Sequence, residues 1–324
     1  MFMLLTGKVT GLSGIAEGVV SIKGENWNVS YIAGLCSAGA VLAIYKPEAF
    51  GSASSLSTAT LLAAGLITGF GTRLSGGCTS GHGLCGLSRR SPRSLAAVLT
   101  FMTTGAITAY FTRLPQYAEL LSAHAEEPSI PLVPAVAAAV GGLYILKNFS
   151  GVCNKLSCLF STSGDKTCSV EISESAMHLT SFASSFLFGI GLGVSGMCNP
   201  ARVLRFLDFS GSEGWDPTLA SVLGGGVAVT FLAFHYFKKT NPPVLLYKDK
   251  TKKVGSALNM GLVAPNLKMD WRLLLGSAMF GVGWGLAGMC PGPAMVVAAG
   301  GSTAALKFVA SMATGMVAKE ILLG

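Results

Sequence analysis

Eight stretches of this chain, residues 27–46, 57–74, 94–112, 131–147, 178–195, 217–237, 271–289 and 302–322, are apolar around the whole helical circumference. Each approaches the roughly 20 residues that a helix needs to cross hydrocarbon. A helix packed on a soluble core keeps a polar stripe, and these do not. In lipid, backbone amides and carbonyls must bond within the segment, so the pattern restricts the fold to an all-α polytopic membrane protein. With 51% hydrophobic and 12% charged residues, the chain also lies outside soluble composition. Residues 1–22 read as mature sequence, because Lys8 and Glu17 interrupt the apolar run and no small-residue cleavage site follows.

Four further apolar pieces, residues 8–22, 78–87, 198–207 and 290–300, are about half a membrane long. They are expected to be re-entrant half-helices that enter and leave on one face. Charge tests this assignment. If only the eight long segments cross, all of the 23 Lys and Arg except Lys46, Arg113, Arg202, Arg205 and Lys307 fall on one face. The positive-inside rule makes that face cytoplasmic, with both termini on it, in a plasma or inner membrane. The formal charge of +8 is explained the same way. No stretch combines clustered bases with stacking aromatics, so nucleic acid is not an expected partner.

The chain repeats itself. Gly-Gly-Cys78 follows Leu74-Ser75, Val194-Ser195-Gly196-Met197 leads into Cys198, and Leu286-Ala287-Gly288-Met289 leads into Cys290. A fourth echo, Leu12-Ser13-Gly14-Ile15-Ala16, carries Ala where the others carry Cys. Each unit reads as a small-residue turn, a short helix and a long helix, which gives four related modules in an internally repeated arrangement, expected to be inverted. Residues 1–149 form a first module pair and 178–324 a second, joined by a polar cytoplasmic loop at 150–177.

The residues after each cysteine favour helix N-termini: Thr79 and Ser80 after Cys78, Asn199 and Pro200 after Cys198, Pro291 and Gly292 after Cys290. A helix N-terminus favours an anion through its unpaired amides and its dipole, by about 0.3–2 kcal/mol. Several converging half-helices could hold an anion without a fixed positive charge, which would suit release on the far side. Thiols are polarizable and select soft, sulfur-containing ligands. The bland alternative is that each cysteine is a small buried hydrophobe and each glycine a close-packing residue. Three cysteines at equivalent turns weigh against it.

His82 lies one helical turn past Cys78, in Cys78-Thr79-Ser80-Gly81-His82-Gly83. It is a candidate proton carrier or donor to the ligand, with a polar tether between helices as the equal alternative. Cys36 and Cys85 read as packing residues. Cys153, Cys158 and Cys168 sit in the polar loop without a zinc-like spacing, so no metal or cofactor is expected there. Arg202, Arg205, Asp208 and Asp216 either form an extracellular mouth that attracts anions or cap the next helix and pair with one another.

The segments Gly76-Gly77-Cys78-Thr79-Ser80-Gly81-His82-Gly83, Gly196-Met197-Cys198-Asn199-Pro200-Ala201-Arg202 and Gly285-Leu286-Ala287-Gly288-Met289-Cys290-Pro291-Gly292-Pro293 resemble the YeeE/YedE sulfur-transport family. The first half is similar to the family's Cys-Thr-Ser-Gly-His-Gly module and the second to its partner module, here joined in one chain. The resemblance implies uptake of inorganic sulfur, with thiosulfate the ligand of the best-known branch, through an hourglass of helices and half-helices. It implies that Cys78, Cys198 and Cys290 line the pathway and pass the ion along by S–H to sulfur hydrogen bonds, with Gly77, Thr79, Ser80, Gly81, His82, Asn199, Pro291 and Gly292 around them. Ala16 departs from that pattern.

The expected function is therefore transport of a small sulfur-containing anion rather than catalysis, and without a nucleotide motor, since no phosphate-binding GxxxxGK loop occurs. Two competing readings stay open. One is a membrane sulfurtransferase that relays a persulfide to a cytosolic sulfur-acceptor protein. The other is a carrier of soft metals or selenium that uses the thiols and His82.

Overall fold

A computed structural model describes residues 11–20, 25–50, 56–112, 174–209, 215–240 and 269–323. The described chain is helical, in ten α-helices, one π-helix and a 3-10 turn. The α-helices are α1 (Leu12–Val20), α2 (Asn26–Tyr45), α3 (Thr58–Ser75), α4 (Pro92–Phe111), α5 (Glu174–Val194), α6 (Pro200–Leu207), α7 (Thr218–Thr240), α8 (Trp271–Ala287), α9 (Pro291–Ala299) and α10 (Thr303–Leu323). The π-helix spans Thr79–Gly86, between α3 and α4. Seven of the eight long apolar stretches coincide with α2, α3, α4, α5, α7, α8 and α10, and the four short ones with α1, the π-helix, α6 and α9. The eighth stretch, residues 131–147, lies outside the described residues, as do Cys153, Cys158 and Cys168.

Among the described residues, Asn26–Tyr45, Pro92–Phe111, Ser175–Val194, Thr218–His235 and the run Trp271–Ala299 are long and apolar enough to cross a membrane. The protein is an all-α polytopic membrane protein. Helix starts follow local chemistry. Ser57 Oγ accepts from the Thr60 amide at 3.1 Å, Ser91 Oγ from Ser94 at 3.3 Å, Asn199 Oδ1 from Ala201 at 2.9 Å and Asp270 Oδ1 from Leu273 at 3.0 Å. Each satisfies one of the amides that a helix leaves unpaired at its N-terminus.

α3 stands at the centre, packed on α8 and α10, while α8 also packs on α4, and α2 pairs with α5. The backbones approach closely because glycine removes the side chain where they cross. A Cβ on Gly69 of α3 would lie 1.9 Å from the Met312 carbonyl oxygen of α10, and one on Gly281 of α8 would lie 2.5 Å from the Phe101 carbonyl oxygen of α4. The contacts repeat in order along the chain. α3 with α10 corresponds to α8 with α4, α2 with α9 to α7 with the π-helix, α1 with α2 to α6 with α7, and α1 with α3 to α6 with α8. The run α1 to α4 is thus matched element by element by α6 to α10, a two-fold correspondence among the described helices.

One part of that repeat is corrected. Ala16 does not stand at a turn; it is buried inside α1, and Gly14 beside it is helical. The carbonyl of Gly11 accepts the Ile15 amide at 3.0 Å, so helical bonding already runs through the sequence echo, from Leu12 on. A run of Leu, Ser, Gly, Ile and Ala carries neither proline nor an obligatory cap, and its helical start cannot be told from its interior.

Candidate functional site

Three of the four positive-φ glycines in the described chain sit two residues ahead of a cysteine: Gly76 (φ 77°) before Cys78, Gly196 (φ 77°) before Cys198, and Gly288 (φ 65°) before Cys290. Each ends a long helix in the left-handed conformation that glycine adopts without penalty. The capping bonds are explicit, with Gly77 donating to the Thr72 carbonyl at 3.0 Å, Met197 to Leu192 at 3.1 Å and Gly288 to Trp284 at 2.8 Å. The chain then turns extended, with φ −121° at Cys78 and −90° at Cys290, before the short helix begins.

Here the cysteines part company. Cys78 and Cys290 are the N-cap residues of their helices, and their carbonyls accept the His82 and Ala294 amides, each at 2.9 Å. In α6 the N-cap is Asn199, and Cys198 sits one residue earlier. Proline explains the offset. Pro291 follows Cys290 directly and fixes it as the cap, whereas Pro200 follows Asn199, whose side chain takes the capping bond.

The three breaks and the start of α1 meet at one cavity of about 280 Å³. α1 contributes Leu12; the π-helix start contributes Cys78, Thr79 and Ser80; the α9 start contributes Cys290, Pro291, Gly292 and Pro293; the turn before α6 contributes Ser195 and Met197. Polar contacts tie these starts together. Thr79 Oγ1 donates to Cys290 Sγ at 3.7 Å, Ser80 Oγ lies 3.2 Å from Cys78 Sγ, and the Leu12 amide donates to the same Ser80 oxygen at 3.1 Å. The two thiols are 1% and 2% exposed, which places them as cavity wall rather than surface. Leu84, Phe188, Leu192, Val222 and Leu223 complete an apolar lining. Among the described residues that line it, none is Lys, Arg, His, Asp or Glu. The described wall offers thiols, hydroxyls and helix N-termini to a ligand.

The other candidates lie apart from it. Cys198 is buried but outside the wall, and Asn199 is used as a cap. His82 turns away: Nε2 lies 3.3 Å from the Ser75 carbonyl oxygen and Nδ1 3.3 Å from Ser94 Oγ. A carbonyl only accepts, so Nε2 donates and Nδ1 takes the Ser94 hydroxyl proton, an arrangement that ties the π-helix to α3 and α4. Gly77 makes room for that ring, since a Cβ there would come 2.9 Å from both Cδ2 and Nε2. Gly81 has nothing within 4 Å of its Cβ position and is not part of the wall. The π-helix itself, a geometry frequent at functional sites, had no visible sequence signature beyond its three glycines. Met197 and Phe188 were also missed, because an apolar side chain that faces a cavity reads like one that faces lipid.

Residues 177–324 match DUF6691, a family of unknown function. Among named proteins, the chain is 38% identical over 149 residues to a "Probable transporter" of Xylella fastidiosa strain 9a5c. That match takes in 44% of this chain and 92% of the relative. A "Probable transporter" of strain Temecula1 is 40% identical over 137 residues, 42% of this chain and 82% of the relative. A second such protein of strain 9a5c is 38% identical over 112 residues and covered to 82%. Each relative is thus matched over most of its length by less than half of this chain.

Proposed function

Because the chain belongs to the same family as these Xylella probable transporters, we propose that it carries a small inorganic sulfur-containing anion, thiosulfate first, through the cavity between its short helices. It is a membrane transporter by family and by its apolar helices. One observation carries the substrate reading: Cys78 and Cys290 cap two short helices that open on the same uncharged cavity, with Thr79 bridging them. A wall with a lysine or arginine would bind sulfate and thiosulfate alike by charge. Thiols and helix starts favour the anion with a soft terminal sulfur and leave it free to depart. The pathway thiols in this reading are Cys78 and Cys290, with Cys198 supporting the turn that carries Met197.

The two halves, residues 1–149 and 178–324, act as fused modules, with both termini cytoplasmic and the four short helices re-entrant. Uptake into proteoliposomes tests the reading directly. Labelled thiosulfate should enter faster than sulfate, and Cys78→Ala or Cys290→Ala should abolish thiosulfate uptake. Equal transport of sulfate and thiosulfate by the unaltered protein would remove the role given to the thiols.

A further inference from the structure

The described residues of the cavity wall are uncharged, but a guanidinium stands at their edge. Gly196 takes its left-handed turn between Ser195 and Met197, both of which line the cavity. Arg202, in the first turn of α6, folds back over that glycine: a Cβ on Gly196 would lie 2.9 Å from both Cδ and Nη1 of Arg202. The side chain is exposed. A guanidinium keeps its charge at every accessible pH, and a charge left in hydrocarbon is costly, so this head sits where water reaches. Arg202 therefore marks a hydrated approach to the cavity, beside two of its wall residues.

Asp216 lies within reach of the Arg202 charge, just ahead of α7, the helix that gives Val222, Leu223 and Gly226 to the wall. Its carboxylate accepts the Thr218 amide at 2.9 Å and the Thr218 hydroxyl. These bonds hold the carboxyl below its ordinary range, and Arg202 and Arg205 add to the effect. Asp216 is thus committed to capping α7, while its nearby charge limits how tightly Arg202 can hold an arriving anion.

We propose that Arg202 is the anion-capture residue of this protein, drawing small anions from water to the Ser195–Met197 side of the cavity. The direction in which a captured ion then travels rests on the transport reading above; capture itself does not. A single exposed charge at contact distance corresponds to a rate effect of about fivefold in dilute buffer, and salt should erase it.

The test uses full-length protein that keeps Cys290 and has its other cysteines replaced by serine. Modification of Cys290 by an anionic methanethiosulfonate (the ethylsulfonate) is compared with that by a cationic one (the trimethylammonium). The anionic reagent should react faster. Arg202→Gln should lower its rate about fivefold at low ionic strength, leave the cationic rate unchanged or higher, and lose its effect in high salt; Arg202→Lys should restore most of the rate. An unchanged anionic rate in Arg202→Gln, no reaction with either reagent, or a fall in both rates that Arg202→Lys shares would each overturn the proposal. Failure to carry thiosulfate, with labelling as expected, would sink the transport reading alone.

Discussion

Thr79 Oγ1 donates to Cys290 Sγ over 3.7 Å and joins the starts of two short helices through residues 211 positions apart in the chain. The bond orients the thiol from the opposite half of the internal repeat. It also links the two helix starts at the wall of one cavity. Thr79→Val keeps the branched shape and removes only the donor. A neutral hydrogen bond contributes about 0.5–1.5 kcal/mol net, so thiosulfate uptake at low concentration should fall about two- to tenfold, with little change in thermal midpoint. Uptake equal to the unaltered protein would show that the bond does not position the thiol.

The offset of one residue at α6 separates the cysteines functionally. Cys290 caps its helix and lines the cavity, whereas Cys198 precedes its cap and lies outside the wall. Cys290→Ala should therefore abolish thiosulfate uptake, and Cys198→Ala should retain at least half of it in the same proteoliposomes. Comparable losses in both would restore Cys198 to the pathway.

Much of this architecture was legible in the sequence because membrane helices leave strong signals. Length and apolarity fixed the positions of α2 to α5, α7, α8 and α10, and the Gly-x-Cys spacing located three left-handed turns. Proline placed the cap of α9 at Cys290. What stayed hidden depends on rotation about a helix axis, which spacing alone does not settle when the surroundings are apolar on every side. His82 could have faced the ligand or its neighbours, and the wider π-helical turn decides for Ser75 and Ser94. The start of α1 was misplaced for a related reason, because Ser13 and Gly14 carry turn chemistry in a segment that packing holds helical.

Two of the turn glycines differ in what surrounds them, which separates backbone cost from crowding. At Gly76 a Cβ would meet only Arg93 Nη2 at 4.0 Å, so Gly76→Ala bears the left-handed penalty of about 1–2 kcal/mol alone. At Gly288 the same atom would lie 2.5 Å from the Pro200 carbonyl oxygen, part of a backbone that cannot swing aside. Gly288→Ala should thus add an overpacking cost of roughly 1–3 kcal/mol. Thermal unfolding in detergent should show a clearly larger drop in midpoint for Gly288→Ala than for Gly76→Ala. Equal drops would mean that α8 and α6 separate freely at that turn.

His82 offers the sharpest distinction between holding a structure and moving a proton. Its ring joins the π-helix to the Ser75 carbonyl at the end of α3 and to Ser94 on α4, at 3.3 Å each, and it does not reach the cavity wall. His82→Ala removes both bonds and leaves a space beside Gly77, so the turn that leads into Cys78 loses its support. The midpoint of thermal unfolding should fall, by an amount corresponding to about 2–4 kcal/mol for two lost buried bonds and the space left. Uptake of thiosulfate and of any slower anion should fall together, with their ratio preserved. A glutamine amide can donate with its nitrogen and accept with its oxygen, so His82→Gln should recover a large part of both stability and uptake. A proton carrier would behave otherwise, because an amide does not titrate. If His82→Gln folded like the unaltered protein yet carried no anion, the ring would be acting on protons, and its role as a tether would be refuted.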